Sequence, residues 1–260
     1  MRKIGKPVIL AATAMAIAAA IAVWVSLPAT TRAQSSTRVQ YASGNTMVTS
    51  YLALPRSGGQ HPAIIVIHEW WGLNDWVRQQ ADQFADQGFV ALAVDLYRGQ
   101  VATDAEAAHE LSRGLAQDRA IGDLEAAFTY LASRHDVEAN KIGVVGWCMG
   151  GGYSILLAQN EPKLAACAVN YGALPTDPAN IAKIKAPVLG NFGAEDRGIP
   201  PAAVNAFAAA MKADGKSVDV KIYDGAGHAF ENPDNTAGYR PEAAKDAWNR
   251  MLAFFNATLQ

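Results

Sequence analysis

The sequence predicts an α/β architecture, a mostly parallel twisted sheet with helices on both faces, folded as a single domain. Three observations predict it. Short apolar runs at residues 63–67, 89–94 and 142–145 lack polar alternation, as strands buried on both faces do. Between them lie stretches of helical period, such as the one that places Leu124, Ala127, Phe128 and Leu131 on one face. Strand and helix patterns then alternate to the C-terminus, over a length that suits one domain.

Element by element, residues 34–60 are polar and turn-rich, with a strand expected at 47–54 and a loop at 55–59. The run at 63–67 is a buried strand, and His68-Glu69-Trp70-Trp71-Gly72 follows it as a loop. Asn74 or Asp75 can cap a helix that runs to about Gln87 and stops at Gly88. The next strand, 89–94, is closed by Asp95, and helices are expected at 104–112 and 115–134. A strand at 142–145 leads through glycines into a helix that is established from Ser154 onward. Residues 164–169, around Cys167, read as an adjacent strand, followed by a strand at 187–192 and an alanine-rich helix at 200–213. A strand at 218–223 and an amphipathic helix from 241 to about 258 complete the pattern, with no internal repeat.

The first residues stand apart from this domain. Arg2, Lys3 and Lys6 precede an uncharged apolar run from 8 to 25, and Thr31-Arg32-Ala33 offers small residues where a signal peptidase reads. Residues 1–33 are therefore expected to be a signal peptide cleaved after Ala33, with residues 34–260 exported as the folded domain. The competing expectation is an uncleaved membrane anchor, because the run is nearly long enough to span a bilayer. No twin-arginine pair is present, so the general, unfolded route of export is expected. Removing residues 1–33 takes away four positive charges and no negative ones, moving the formal net charge from −2 to −6. That balance disfavours nucleic acid or an anionic membrane surface as a partner. The expectation is a monomer, with no membrane partner unless the first segment is an anchor. Only Cys148 and Cys167 are available as thiols. In an oxidising compartment cysteines are expected in pairs, so a free Cys148 points to chemistry, whereas Cys167 reads as a small core hydrophobe.

Gly146-Trp147-Cys148-Met149-Gly150 has the G-x-C-x-G form of a nucleophile elbow, with cysteine in place of the more usual serine. A sharp strand-to-helix turn raises the sulfur above the sheet edge and aims a helix N-terminus at it. That dipole favours a thiolate, and the backbone N–H of Met149 is placed to hold an oxyanion. In parallel sheets, working residues sit in loops at the carboxyl ends of strands. Gly193-Ala194-Glu195-Asp196 follows one predicted strand and Gly227-His228 follows another. The order Cys148, Asp196, His228 is the nucleophile–acid–histidine order of α/β-hydrolases. A thiol needs a base near neutral pH, histidine has the right basicity, and a carboxylate fixes the imidazole tautomer. Asp196 is preferred to its neighbour Glu195 because a short side chain on a tight turn reaches less variably.

Taken together, these motifs resemble the dienelactone hydrolase family, the cysteine-nucleophile, carboxymethylenebutenolidase-like branch of the α/β-hydrolase fold. The resemblance also rests on His68-Glu69-Trp70-Trp71-Gly72-Leu73-Asn74, Asp95-Leu96-Tyr97, Gly122-Asp123-Leu124-Glu125-Ala126-Ala127 and Gly227-His228-Ala229-Phe230, and it spans residues 63–230. It implies that Glu69 contacts the resting thiol, so that thiolate forms on demand, and that the N–H of Trp70 is the second oxyanion donor. The family's dienelactone enzymes hold a substrate carboxylate with two arginines. Here Arg98 stands one residue earlier than that pattern and Asn232 occupies the other place, four residues after His228. The pocket is therefore expected to be more apolar or aromatic, with Trp71, Tyr97 and Arg98 on its walls. His68 is read as loop architecture. No group of residues has metal-ligand spacing, and no cofactor is expected. The functional expectation is an exported hydrolase of small esters or lactones acting through an acyl-enzyme. The rival readings are a non-catalytic binding protein on the same fold and a thiol redox protein using Cys148 and Cys167.

Overall fold

The computed structural model describes Met1 and residues 35–260; the signal segment expected at 1–33 lies outside the described residues apart from Met1. The sheet contains β1 (Ser35–Ser43), β2 (Thr46–Leu54), β3 (His61–Ile67), β4 (Val90–Val94), β5 (Val137–Trp147), β6 (Ala166–Asn170), β7 (Val188–Gly193) and β8 (Val218–Tyr223). Their spatial order is β1-β2-β4-β3-β5-β6-β7-β8. The β1–β2 and β2–β4 pairs are antiparallel, and every pair from β4 across to β8 is parallel.

The expected apolar runs occupy the centre of the sheet. All five residues of β4 and all five of β6 are buried, as is β3 after its first residue. The helices are α1 (Asp75–Asp86), α2 (Ala105–Gly114), α3 (Gln117–Ala132), α4 (Met149–Asn160), α5 (Pro178–Lys183), α6 (Pro201–Ala213) and α7 (Pro241–Leu259). Asn74 caps α1 by accepting from the N–H of Val77 at 3.1 Å. One apolar layer sets Phe84 of α1 and Phe255 of α7 against one face of the sheet. The other sets Leu124 of α3, Leu157 of α4 and Phe207 of α6 against the opposite face. Contact of the sheet with water is thus concentrated at strand ends and toward the edges at β1 and β8.

Two elements were not expected. β1 looks like a polar, irregular lead-in because it is an edge strand; Tyr41 is its only fully buried residue, Val39 packs partly against the core, and most of the rest is exposed. Its register is fixed by a two-residue hairpin turn at Gly44-Asn45, with Gly44 at a φ of 54°. α5 is too short to show a period; it begins with Asp177 as cap and Pro178 in its first turn.

Candidate active site

The elbow forms as the glycines require. Cys148 lies between β5 and α4 at φ 56° and ψ −119°, a strained conformation for a residue with a side chain. A Cβ on Gly146 would run into the carbonyl of Gly150, and one on Gly150 into the carbonyls of Ile67 and His68. The two glycines therefore let β5, α4 and the end of β3 approach at backbone contact, which lifts the sulfur clear of the sheet. Cys148 itself is partly exposed.

Three strand ends converge on that sulfur. His228, in the loop after β8, brings Nε2 to 3.0 Å from Cys148 Sγ. Its Nδ1 lies 2.7 Å from Asp196 Oδ2, in the turn after β7. Asp196 is buried, and its other oxygen accepts from the N–H groups of Gly198 (2.8 Å) and Ile199 (3.1 Å), which fixes the carboxylate. Glu195, the alternative candidate for this place, points outward and is exposed. The backbone N–H groups of Met149 and Trp70 lie close enough to the sulfur to favour its charged form, so two donors face the place where charge would develop. Burial and the nearby Glu69 charge still push the Cys148 thiol up to about 12, against the opposing pull of those two amides. A standing thiolate is disfavoured here, and a base must act when the thiol reacts.

Glu69 is fully buried, and its carboxyl is pushed up to about 7 by that burial. Its oxygens are taken by other groups: Asn232 Nδ2 donates to Oε2 at 2.7 Å and the Tyr171 hydroxyl donates to Oε1 at 3.3 Å. Among the described residues no hydrogen bond joins Glu69 to Cys148, so the expected resting-state contact is not the arrangement present. The thiol has turned to His228, and the carboxyl acts on it through space. Asn232 thus binds Glu69 directly, a role that the sequence does not show, since there the residue reads only as the absence of an arginine.

The expected pocket walls separate in the structure. Trp71 lines a cavity of about 700 Å³ with Glu69, Trp70, Cys148, His228 and Asn232. Tyr97 is instead buried behind Met149, with its hydroxyl 3.2 Å from the Met149 sulfur. Arg98 does not reach the site at all. With φ at Arg98 at 55°, its guanidinium donates to Asp123 Oδ1 (2.8 Å) on α3 and to Thr46 Oγ1 (3.2 Å) at the start of β2. Asp123 is completely buried and also accepts from Arg119 Nη1 at 3.1 Å. Arg119 in turn reaches the carbonyl of Leu96 at 3.0 Å. Asp95 accepts from the N–H groups of Tyr97 (3.0 Å) and Gly99 (2.6 Å). Two of the motifs behind the resemblance therefore build a turn and clamp it to α3.

His68 is architectural, as expected. It is fully buried, Nε2 accepts from the N–H of Leu96 at 3.2 Å, and Nδ1 therefore carries the proton toward the carbonyl of Glu69. Burial lowers its pKa and keeps it neutral. Cys167 is buried within the layer opposite to the one Cys148 packs against, so the two thiols lie on different faces of the sheet. That geometry removes the redox-pair reading.

Two further groups have no counterpart among the sequence expectations. Tyr171 follows the end of β6, is fully buried, and packs edge-on to the His228 ring at 5.2 Å; its place after a strand is the signal that could have found it. Glu231 accepts from Trp147 Nε1 at 2.9 Å, tying the residue before Cys148 to the loop that carries His228.

Comparison with known proteins places these residues in context. The model of the dienelactone hydrolase family matches residues 48–259. A curated relative from Methylorubrum extorquens, provisionally named a carboxymethylenebutenolidase, is 32% identical over 223 residues, covering 80% of this chain and 76% of its own length. A relative from a Bradyrhizobium species, provisionally named a 2-oxo-3-(5-oxofuran-2-ylidene)propanoate lactonase, is 34% identical over 218 residues, covering 79% of this chain and 87% of its own. A crystal structure from Klebsiella pneumoniae, provisionally named a dienelactone hydrolase, superposes with a TM-score of 0.79 at 29% identity, over 86% of this chain and 99% of that one.

Proposed function

We propose that this chain, which belongs to the dienelactone hydrolase family and is a carboxylic ester or lactone hydrolase, works through a Cys148–His228–Asp196 triad and an acyl-enzyme. The observation that carries the mechanism is the imidazole of His228, held between Asp196 at 2.7 Å and the Cys148 sulfur at 3.0 Å. With Nδ1–H donated to Asp196, Nε2 is left free to take the thiol proton. The thiol surrenders that proton as the sulfur attacks the acyl carbon, so the high resting pKa of Cys148 is not an obstacle. The carbonyl oxygen becomes an oxyanion under the N–H groups of Met149 and Trp70. His228 then gives its proton to the departing alkoxide as the C–O bond breaks, leaving a thioester on Cys148. Water, deprotonated by the same imidazole, releases the acid and restores the thiol.

Cys148→Ala tests this directly. Turnover of p-nitrophenyl acetate should fall by at least about 10³-fold, since covalent catalysis and its paired base vanish together. Retention of a tenth of the activity would sink the mechanism. We also infer that the chain is exported and cut after Ala33; the apolar run behind Arg2, Lys3 and Lys6 supports this. N-terminal sequencing of the protein recovered from outside the cytoplasm should begin at Gln34, and a start at Met1 would favour the anchor.

A further inference from the structure

The Cys148 sulfur stands at the junction of two cavities of different chemistry. The first is the chamber of about 700 Å³ described above, lined by His228, Glu69, Trp70, Trp71 and Asp234, with no lysine or arginine on its wall. The second is a cleft of about 410 Å³ running over α4, lined by Met149, Tyr153, Ile155, Leu156, Leu174 and Pro175, and it contains no carboxylate, lysine, arginine or histidine. Both volumes fall within the roughly 300–1,000 Å³ of small-molecule sites.

Resting on the acyl-enzyme reading above, the geometry points to a linear ester whose uncharged apolar acyl arm lies in the cleft over α4 and whose non-anionic alcohol arm lies in the chamber. The assignment follows from the proton. The departing oxygen must come within hydrogen-bond reach of His228 Nε2 to be protonated. His228 lines the chamber and not the cleft, so the alcohol leaves into the chamber. The remaining substituent on the carbonyl carbon then points the other way, into the cleft. Once the C–O bond has broken, the acyl group stays on sulfur with its chain in the cleft while the alcohol departs, and the vacated chamber admits the hydrolytic water beside His228.

Charge selects in the same direction. A carboxylate on the acyl arm would enter an apolar cleft with no partner, a burial that is strongly unfavourable. A carboxylate on the alcohol arm would meet Glu69 and Asp234. Of the amides on that wall, Asn232 already donates to Glu69 at 2.7 Å and Asn235 to the carbonyls of His228 and Ala229. An apolar chain, by contrast, gains about 0.8 kcal/mol for every methylene it buries.

The test is a series of p-nitrophenyl esters from acetate to octanoate, with mono-p-nitrophenyl glutarate beside the pentanoate, run on the purified protein and on Leu174→Trp. Octanoate should exceed acetate in kcat/KM by tenfold or more, and the glutarate monoester should fall at least tenfold below the pentanoate. Leu174→Trp should bring octanoate to within threefold of acetate by filling the cleft. Should that variant fail to fold, Gln159→Trp, at the partly exposed wall of the same cleft, should shorten the best chain by two or more carbons. A flat chain-length profile, a glutarate monoester equal to the pentanoate, or a folded cleft variant with an unchanged profile would overturn the assignment while leaving the triad standing. Absence of turnover on every ester, with no acylated Cys148 by intact mass, would sink the triad and this assignment together.

Discussion

After β4 (Val90–Val94) the chain turns through Asp95, Leu96, Tyr97 and Arg98; between Trp147 at the end of β5 and Met149 at the start of α4 it turns on Cys148 alone. Both turns hold a residue with a side chain at positive φ, 55° at Arg98 and 56° at Cys148. Such conformations cost about 1–3 kcal/mol and persist only where surroundings over-determine them. The surroundings differ in kind. Around Arg98 most polar groups are spent on one another: Asp95 on two backbone amides, Asp123 on two guanidiniums, Arg119 on a carbonyl, while Arg98 Nη1 is buried without a partner among the described residues. Around Cys148 they are aimed at a point that opens to two cavities, with two amides and an imidazole on the same sulfur. Strain and charge after a strand therefore mark importance to the fold as readily as chemistry. What separates them is whether the polar groups have one another or an open cavity to face.

The sharpest way to break that comparison is to touch the charge proposed to serve chemistry. Asp196→Asn keeps the side-chain shape but lets the imidazole take the wrong tautomer, so kcat should drop by about 10²–10⁴-fold with little change in Tm. A loss below fivefold would mean that His228 is oriented by something else, and the turn after β7 would join the structural group.

The charge that serves the fold should behave in the opposite way. Asp123 is buried between two guanidiniums that are about one-quarter and one-third exposed. Asp123→Ala should cost about 3 kcal/mol, the low end of what removing one partner of a buried ion pair costs, because both cations can turn toward water. That corresponds to a Tm lower by roughly 6–12 °C for a domain of this size, with kcat/KM per folded molecule unchanged. A selective loss against carboxylated esters instead would restore Arg98 as a substrate clamp and dissolve the distinction.

The same distinction explains what the sequence could show. The buried strands and the helices that flank them were readable because apolar runs and helical periods survive in one dimension. Cys148, Asp196 and His228 were readable because each follows its own strand, and that placement is topological. β1 was not, since an edge strand with one buried and one half-buried apolar side chain has little pattern to show. Nor was the fate of Arg98, whose direction depends on a single backbone angle, or the pairing of Asn232 with Glu69 across 163 residues of chain. Side-chain networks between distant loops leave no local signal.

Glu231 lies between the two regions in character, tied to the elbow through Trp147, and the pH dependence of stability reads its charge. Its carboxyl is pushed up to about 8 by burial, and Glu69 to about 7, against an ordinary value of 4.5 for each. Glu231 Oε2 has Trp147, while Oε1 is buried without a protein partner among the described residues, which makes the charged form unfavourable. A raised folded pKa means the native protein keeps protons that the unfolded chain has already released. The stabilisation is fully present below about pH 4.5 and is lost as pH rises through 7–8. Every tenfold gain in proton affinity on folding corresponds to about 1.4 kcal/mol, which relaxation and water entry reduce. Between pH 5.5 and pH 9 the Tm should therefore fall by at least about 4 °C, at roughly 2–4 °C per kcal/mol. Glu231→Gln can still accept from Trp147 and cannot ionise, so it should flatten that fall by half or more in a thermal-melt series. Identical slopes for the two proteins would show that Glu231 is already ionised in the fold, and that its bond to Trp147 is a charge-assisted clamp on the elbow.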